Sequence, residues 1–142
     1  MFKSLLAAAL LTTGLWTALP TDQPADTKKA DVLKESMLRG EKVYAANCQS
    51  CHMPEGEGIP GTFPPLAKSD YLLKDQKRAV GTILHGVSGE ITVNGAQYNM
   101  DMPAMDYLTD QEVADVLNYI QNSWGNKAKA VTPAQVKAER KK

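Results

Sequence analysis

The amino-acid sequence predicts a small all-α domain with one short β-hairpin in its second half. Three observations lead there. Apolar residues recur at helical spacing in two distant stretches, Val32, Leu33, Met37, Gly40, Val43 and Tyr44 early on and Val113, Val116, Leu117 and Ile120 late. Between them the chain is largely aperiodic and rich in Gly and Pro, and only "EITVNGAQYN" alternates, around Asn94-Gly95, the pair preferred in a type I′ turn. Finally, 142 residues leave room for one compact domain with terminal extensions. Aromatic content is 6% against 43% hydrophobic, so such a domain buries modest apolar area unless something besides side chains fills its interior.

Residues 1–20, "MFKSLLAAALLTTGLWTALP", join a positive start at Lys3 to an apolar run from Leu5 to Leu19, the layout of an export signal. That run falls short of the roughly 20 residues that span a bilayer unaided, although left uncleaved and extended back to Phe2 it would tether the domain to a membrane. Residues 21–30 are polar and read as a flexible linker, so the domain is expected over 31–126. Its first helix runs into Cys48. An irregular Gly/Pro loop follows, then a helix over about 75–84 with His85-Gly86 as its stop signal, and then the hairpin. Thr109 with Glu112 forms a capping box that opens the closing helix, expected to end at Gly125. Residues 127–142 read as a basic, solvated tail.

Charge is unevenly placed. Residues 21–126 hold fifteen acidic against nine basic side chains, whereas residues 127–142 hold six basic against one acidic. An acidic body disfavours nucleic acid as a partner and suits a basic docking surface on another protein.

The chemistry concentrates in "NCQSCHMPEG", which contains both cysteines, Cys48 and Cys51, and His52, one of two histidines. Cys-x-x-Cys serves redox dithiols and zinc sites, and with His directly after it serves covalent haem attachment. A zinc site needs four ligands, and beyond residue 52 only His85 is offered. A thioredoxin-like dithiol belongs at the start of a helix after a strand, whereas here a helix precedes the motif and a loop follows. Haem attachment needs a histidine placed to ligate iron once two thioethers hold the porphyrin, and His52 is so placed. An exported chain also meets an oxidising compartment, where nearby thiols oxidise unless already committed to another bond.

A haem iron that carries electrons takes a second axial ligand, often methionine. "YNMDMPAMDYL" offers Met100, Met102 and Met105. Met102 is preferred because Pro103 follows it, removing a donor and stiffening the loop that must hold a soft thioether. His85 is the outside candidate, but a histidine at a helix C-terminus is accounted for by the helix dipole.

From about residue 31 to residue 125 the order of these features resembles a class I cytochrome c: a helix into CxxCH, a Pro-containing loop, a Met loop and a closing helix. "GTFPPLAKSDYLL", "ILHGVSGEITVNG", "MPAM" and "NYIQNSWGN" are similar to small monohaem cytochromes and cytochrome c domains found with copper nitrite reductases and membrane dehydrogenases. The resemblance implies helices packed around one haem c bound through Cys48 and Cys51, with His52 and Met102 on the iron. It matches Gly40, Tyr44 and Tyr119 to the crossing of the first and last helices. It also matches Pro64, with Pro65 adjacent, to the carbonyl that accepts from the proximal histidine, and Leu66 to the haem contact.

The function expected is that of an electron carrier rather than an enzyme: a periplasmic protein, or one anchored to the outer face of the inner membrane. It would be a monomer or one subunit of a complex, passing single electrons between respiratory or denitrification partners such as a reductase, oxidase or dehydrogenase. A haem-based ligand-binding or peroxidase-like protein with a displaceable Met102, and a haem-free dithiol exchanger, are the alternatives.

Overall fold

A computed structural model describes residues 25–141; the export segment falls outside them. The chain runs α1 (Ala25–Asn47), α2 (Gln49–His52), α3 (Asp70–Lys74), α4 (Gln76–His85), β1 (Ile91–Val93), β2 (Ala96–Tyr98), α5 (Asp110–Ile120) and α6 (Pro133–Arg140). The fold is mostly helical, with a small two-stranded antiparallel sheet between α4 and α5, as the sequence predicts. Among the described residues no helix is long and apolar enough to cross a membrane.

Helix α1 takes in residues 25–30 that read as linker, where Ala and Lys residues are good helix formers and Asp26 lies in the first described turn. The buried face of α1, Ser36, Gly40 and Tyr44, lies on α5. Contact is close because Gly40 has no side chain: a Cβ there would stand 2.0 Å from the Asp115 carbonyl oxygen. Beside this crossing Asp115, only 2% exposed, accepts from Arg39 Nε at 2.7 Å, Arg39 Nη2 at 2.8 Å, Ser36 Oγ at 2.5 Å and Gln111 Nε2 at 2.9 Å. A buried carboxylate is costly unless its lone pairs are taken, and four donors take them here. Burial pushes Asp115 up, but the hydrogen bonds from Arg39, Ser36 and Gln111 outweigh it and hold the carboxyl below its usual value.

The capping residues act as expected. Thr109 and Glu112 form a reciprocal capping box on α5, and Asp75, just outside α4, accepts from the Lys77 and Arg78 amides. Asn94 and Gly95 take φ of 50° and 80° in the turn between β1 and β2. The short α3, capped by Ser69, was not foreseen. Helix α5 stops at Ile120 rather than running on to Gly125, because the Asn126 amide donates to the Ile120 carbonyl at 2.6 Å and residues 121–125 become turns.

The basic tail is not a solvated end. Thr132 and Gln135 form a second capping box with Pro133 in the first turn, and α6 packs against α4 and α5 through the fully buried Val136. Val131 is pinned through its backbone to Asn118 of α5, whose side chain donates to the Val131 carbonyl at 3.0 Å and accepts from its amide at 2.7 Å. Lys127, Lys129, Lys137 and Lys141 stay exposed, so the charge that suggests a free tail decorates a docked segment.

Candidate functional site

The end of α1, the four-residue α2 and the loop after it place the CxxCH residues. Cys48 and His52 are joined by backbone bonds, the amides of Cys51 and His52 both donating to the Cys48 carbonyl. Met53 then turns the chain out of the helix with φ of 64°, a conformation few side-chain-bearing residues adopt, and its carbonyl is held by the Tyr44 hydroxyl at 2.6 Å. Tyr44 is itself packed on Tyr119 and Trp124, with ring centroids 5.6 and 5.1 Å away. The crossing of α1 and α5 is thereby coupled to the residue that follows His52.

His52 is buried, and its Nδ1 lies 2.9 Å from the Pro64 carbonyl oxygen. A carbonyl only accepts, so Nδ1 carries the proton and the lone pair sits on Nε2. Burial lowers the pKa of His52, partly opposed by the bond to Pro64. A neutral imidazole with one nitrogen oriented by a carbonyl is the form that ligates a metal. The bond falls on Pro64 and not on its neighbour Pro65. Leu66 is set beside it by its amide, which donates to Gly56 at 2.7 Å, and by its carbonyl, which accepts from Asn126 at 2.8 Å.

Across the cavity the methionine segment lies against the end of α4. Met102 exchanges both backbone bonds with Val87, at 3.0 and 2.9 Å. Gly86, at φ of 74°, makes that approach possible, since a Cβ there would stand 2.5 Å from the Met102 carbonyl oxygen. Met105 donates its amide to the Ile83 carbonyl at 2.8 Å and is buried in the core, whereas Met100 is 53% exposed. Met102 lies between those extremes, partly buried and packed on the core. All three methionines border the cavity, and His85 does not.

Cys48, Cys51, His52, Pro64, Leu66 and Met102 all line one cavity, part of it open to solvent. Most of the remaining wall is aliphatic, from Leu72, Ile83, Val93, Val116, Leu117 and their neighbours. Two thiols, an oriented imidazole and a thioether around an apolar cleft fit haem c: a large, mostly apolar macrocycle with vinyl groups for the thiols and an iron for nitrogen and sulfur. They fit a dithiol exchanger poorly. Burial, with Cys51 adding to it, pushes the Cys48 thiol up to about 11, whereas exchange chemistry needs a lowered thiol pKa.

Several residues that shape this site escaped the sequence reading. Val87 and Ile83, which hold the methionine segment, read only as ordinary apolar residues, and Asn126 gave no signal of its distant role at Leu66.

Comparisons with known proteins agree with this geometry. A family model described as "Cytochrome c" matches residues 37–124. Cytochrome c-552 of Thermus thermophilus is 40% identical over 125 residues, covering 72% of this chain and 95% of the relative. The cytochrome c subunit of alcohol dehydrogenase (quinone) from Gluconobacter oxydans (strain 621H) is 34% identical over 96 residues, 67% of this chain but 20% of that longer protein. The Cbb3-type cytochrome c oxidase subunit CcoP of Rubrivivax gelatinosus is 32% identical over 98 residues, 69% of this chain and 29% of the relative.

Proposed function

We propose that this chain, which belongs to the cytochrome c family, carries single electrons between redox proteins outside the cytoplasm through one haem c that Cys48 and Cys51 bind as thioethers and His52 and Met102 ligate. The observation that carries the reading is the cavity where both thiols, the Pro64-oriented imidazole and the Val87-held Met102 meet. Haem c, when bound, supplies a one-electron iron couple, and an imidazole with a thioether sets it at the high-potential end. The chain's own residues then orient and insulate. Pro64 keeps the His52 lone pair on Nε2 and holds the ring direction. Val87 holds the backbone of Met102, whose thioether would then be offered to the iron from a fixed position and would occupy the place of a substrate. The aliphatic wall excludes water and favours the less charged, reduced state.

Residues 1–20 support export, either as a removed signal or as a tether. Relatives that are subunits of a quinone-dependent dehydrogenase and of an oxidase support a protein partner of one of those classes. Glu55, Glu57, Glu90, Asp101 and Asp106 are exposed, Asp101 at the cavity itself, and this acidic surface favours a basic docking face on that partner.

The test is Met102→Ala in the holoprotein. It is expected to abolish the near-infrared sulfur-to-iron band of the oxidised form, lower the potential and open the reduced form to carbon monoxide, which the parent should not bind. Met100→Ala and Met105→Ala should keep the band. Loss of the band in Met100→Ala alone would move the ligand to Met100, and rapid carbon monoxide binding by the parent would favour a ligand-binding haem protein instead.

A further inference from the structure

We infer that Arg140, the last residue of α6, is a positioning residue for the methionine loop: by clamping that loop's backbone it sets how readily Met102 leaves the iron. The inference rests on Met102 being the sixth ligand. The guanidinium makes three contacts. Nε donates to Asp110 Oδ1 at 2.9 Å, Nη1 to the Asp106 carbonyl at 2.8 Å and Nη2 to the Leu108 carbonyl at 2.7 Å.

The distribution of these bonds argues against a simple surface ion pair. The Asp110 carboxylate and Arg140 are each about 30% exposed, where an ion pair alone contributes little. The other two bonds go to main-chain carbonyls of a segment with no regular secondary structure, whose polar groups must find partners elsewhere. A planar fork of fixed donors suits that task, since it holds two carbonyls and a carboxylate in one geometry.

Other ties of the loop lie on its other sides: Val87 to Met102, Ile83 to Met105, and the Tyr107 hydroxyl to Asn47 Oδ1 at 3.1 Å. Arg140 connects the loop to the C-terminal segment, and it does so from a helix anchored by the fully buried Val136 and by the Val131–Asn118 bonds. Only residues 103–105 separate Met102 from Asp106, and Pro103 fixes one of the torsions between them. Little slack remains, so a backbone displacement that carries Met102 away from the iron would draw residues 106–108 with it and strain the Arg140 bonds. The docked tail thereby reaches the site without touching it.

The experiment uses full-length holoprotein and two readouts that general stability does not dictate. One is the rate at which imidazole displaces the sixth ligand of the oxidised form; the other is the gap between the temperature at which the near-infrared band is lost and that of helix unfolding by circular dichroism. Arg140→Gln should speed imidazole binding about fivefold or more, the factor carried by about 1 kcal/mol, and widen the gap. Arg39→Gln breaks the ion pair between α1 and α5, away from the loop, and should lower the denaturant midpoint while leaving the imidazole rate within about twofold. Asp110→Asn, which keeps both carbonyl bonds, should also stay near the parent rate. Should Arg140→Gln not accumulate as holoprotein, Arg140→Lys, which retains the charge but not the fork, should give an intermediate rate. An unchanged rate in the Arg140 variant, or equal acceleration in Arg39→Gln at matched loss of stability, would overturn the clamp. If Met102→Ala keeps the band, the ligand assignment fails and the inference falls with it, whereas a band lost in Met102→Ala with Arg140→Gln silent removes only the clamp.

Discussion

Replacing Gly40 by Ala should destabilise this protein although alanine is the better helix former. A Cβ at residue 40 would stand 2.0 Å from the Asp115 carbonyl oxygen, 2.5 Å from its carbon and 2.9 Å from Tyr119 Cβ, two of the three being backbone atoms that cannot rotate away. Ordinary contact needs about 3.4 Å, so α1 and α5 must part by roughly 1 Å or more at their closest point. That displacement strains the Arg39–Asp115 and Ser36–Asp115 bonds, now 2.7 and 2.5 Å long. Overpacking of this kind costs about 1–3 kcal/mol, and weakening a charge-assisted bond adds about 1 kcal/mol or more. The helix-propensity gain of about 1 kcal/mol does not offset both, leaving a net loss of about 1–3 kcal/mol. Gly81→Ala is the matched control. It lies inside α4, its φ is not positive, and a Cβ there meets nothing closer than His85 Cδ2 at 4.0 Å, so the same substitution should stabilise by up to about 1 kcal/mol. Denaturant midpoints of the two holoproteins, followed by circular dichroism, decide the matter. If both substitutions shift the midpoint in the same direction, or Gly40→Ala matches the parent, close packing at this crossing does not limit stability and the reasoning fails.

Three further outcomes are expected. Cys51→Ala should lose the two-thioether pyridine haemochrome spectrum, because each cysteine supplies one of the two bonds; an unchanged spectrum and haem stain on a denaturing gel would contradict that. Asp115 has a folded pKa below its unfolded one, so the stability it contributes is fully present above about pH 4 and is lost as pH falls through the depressed folded value. Asp115→Asn should therefore be less stable than the parent at neutral pH and converge towards it in acid, and parallel denaturant midpoints across pH 7 to pH 2.5 would show that the carboxylate is not held down. Electron transfer to the physiological partner should slow as salt shrinks the Debye length from about 30 Å to about 8 Å, and neutralising Glu55, Glu57, Asp101 and Asp106 should flatten that dependence; a rate indifferent to salt would leave an apolar contact as the docking surface.

What could be read from the sequence was chemistry confined to a few neighbouring residues. CxxCH is such a unit, because two thioethers and a proximal histidine require residues in one helical turn. So are the Thr109–Glu112 box and the Asn94-Gly95 turn, whose partners lie within three positions. The features that escaped depend on partners far along the chain. Asp115 reads like any acid on an amphipathic helix until Arg39, 76 residues away, meets it from α1. The C-terminal segment has only Val131 and Val136 to bury among many lysines, so its charge dominates the local pattern while Asn118, 13 residues away, determines that it docks. Its capping box, Thr132 with Pro133 and Gln135, was nevertheless visible, and a capped helix start in front of a buried valine outweighs a run of charges.

The methionines mark the boundary between the two kinds of information. Three of them in six residues are chemically equivalent as thioethers, and Pro103 favours Met102 only by stiffening the loop after it. In the fold they are no longer equivalent. Met105 is drawn into the core by the Ile83 carbonyl, Met100 is left half exposed, and Met102 is fixed through both backbone groups by Val87, two residues past the end of α4. A thioether is a weak ligand for ferric iron and persists there when its backbone cannot retreat, so the choice among the three is a question of register against Val87 rather than of side-chain chemistry. Gly86 allows that register, because any Cβ at its position would meet the Met102 carbonyl oxygen at 2.5 Å and force the two strands of chain apart. The dipeptide Gly86-Val87 therefore supports the proposal of Met102 as ligand as much as Met102-Pro103 does, from the opposite side of the bridge.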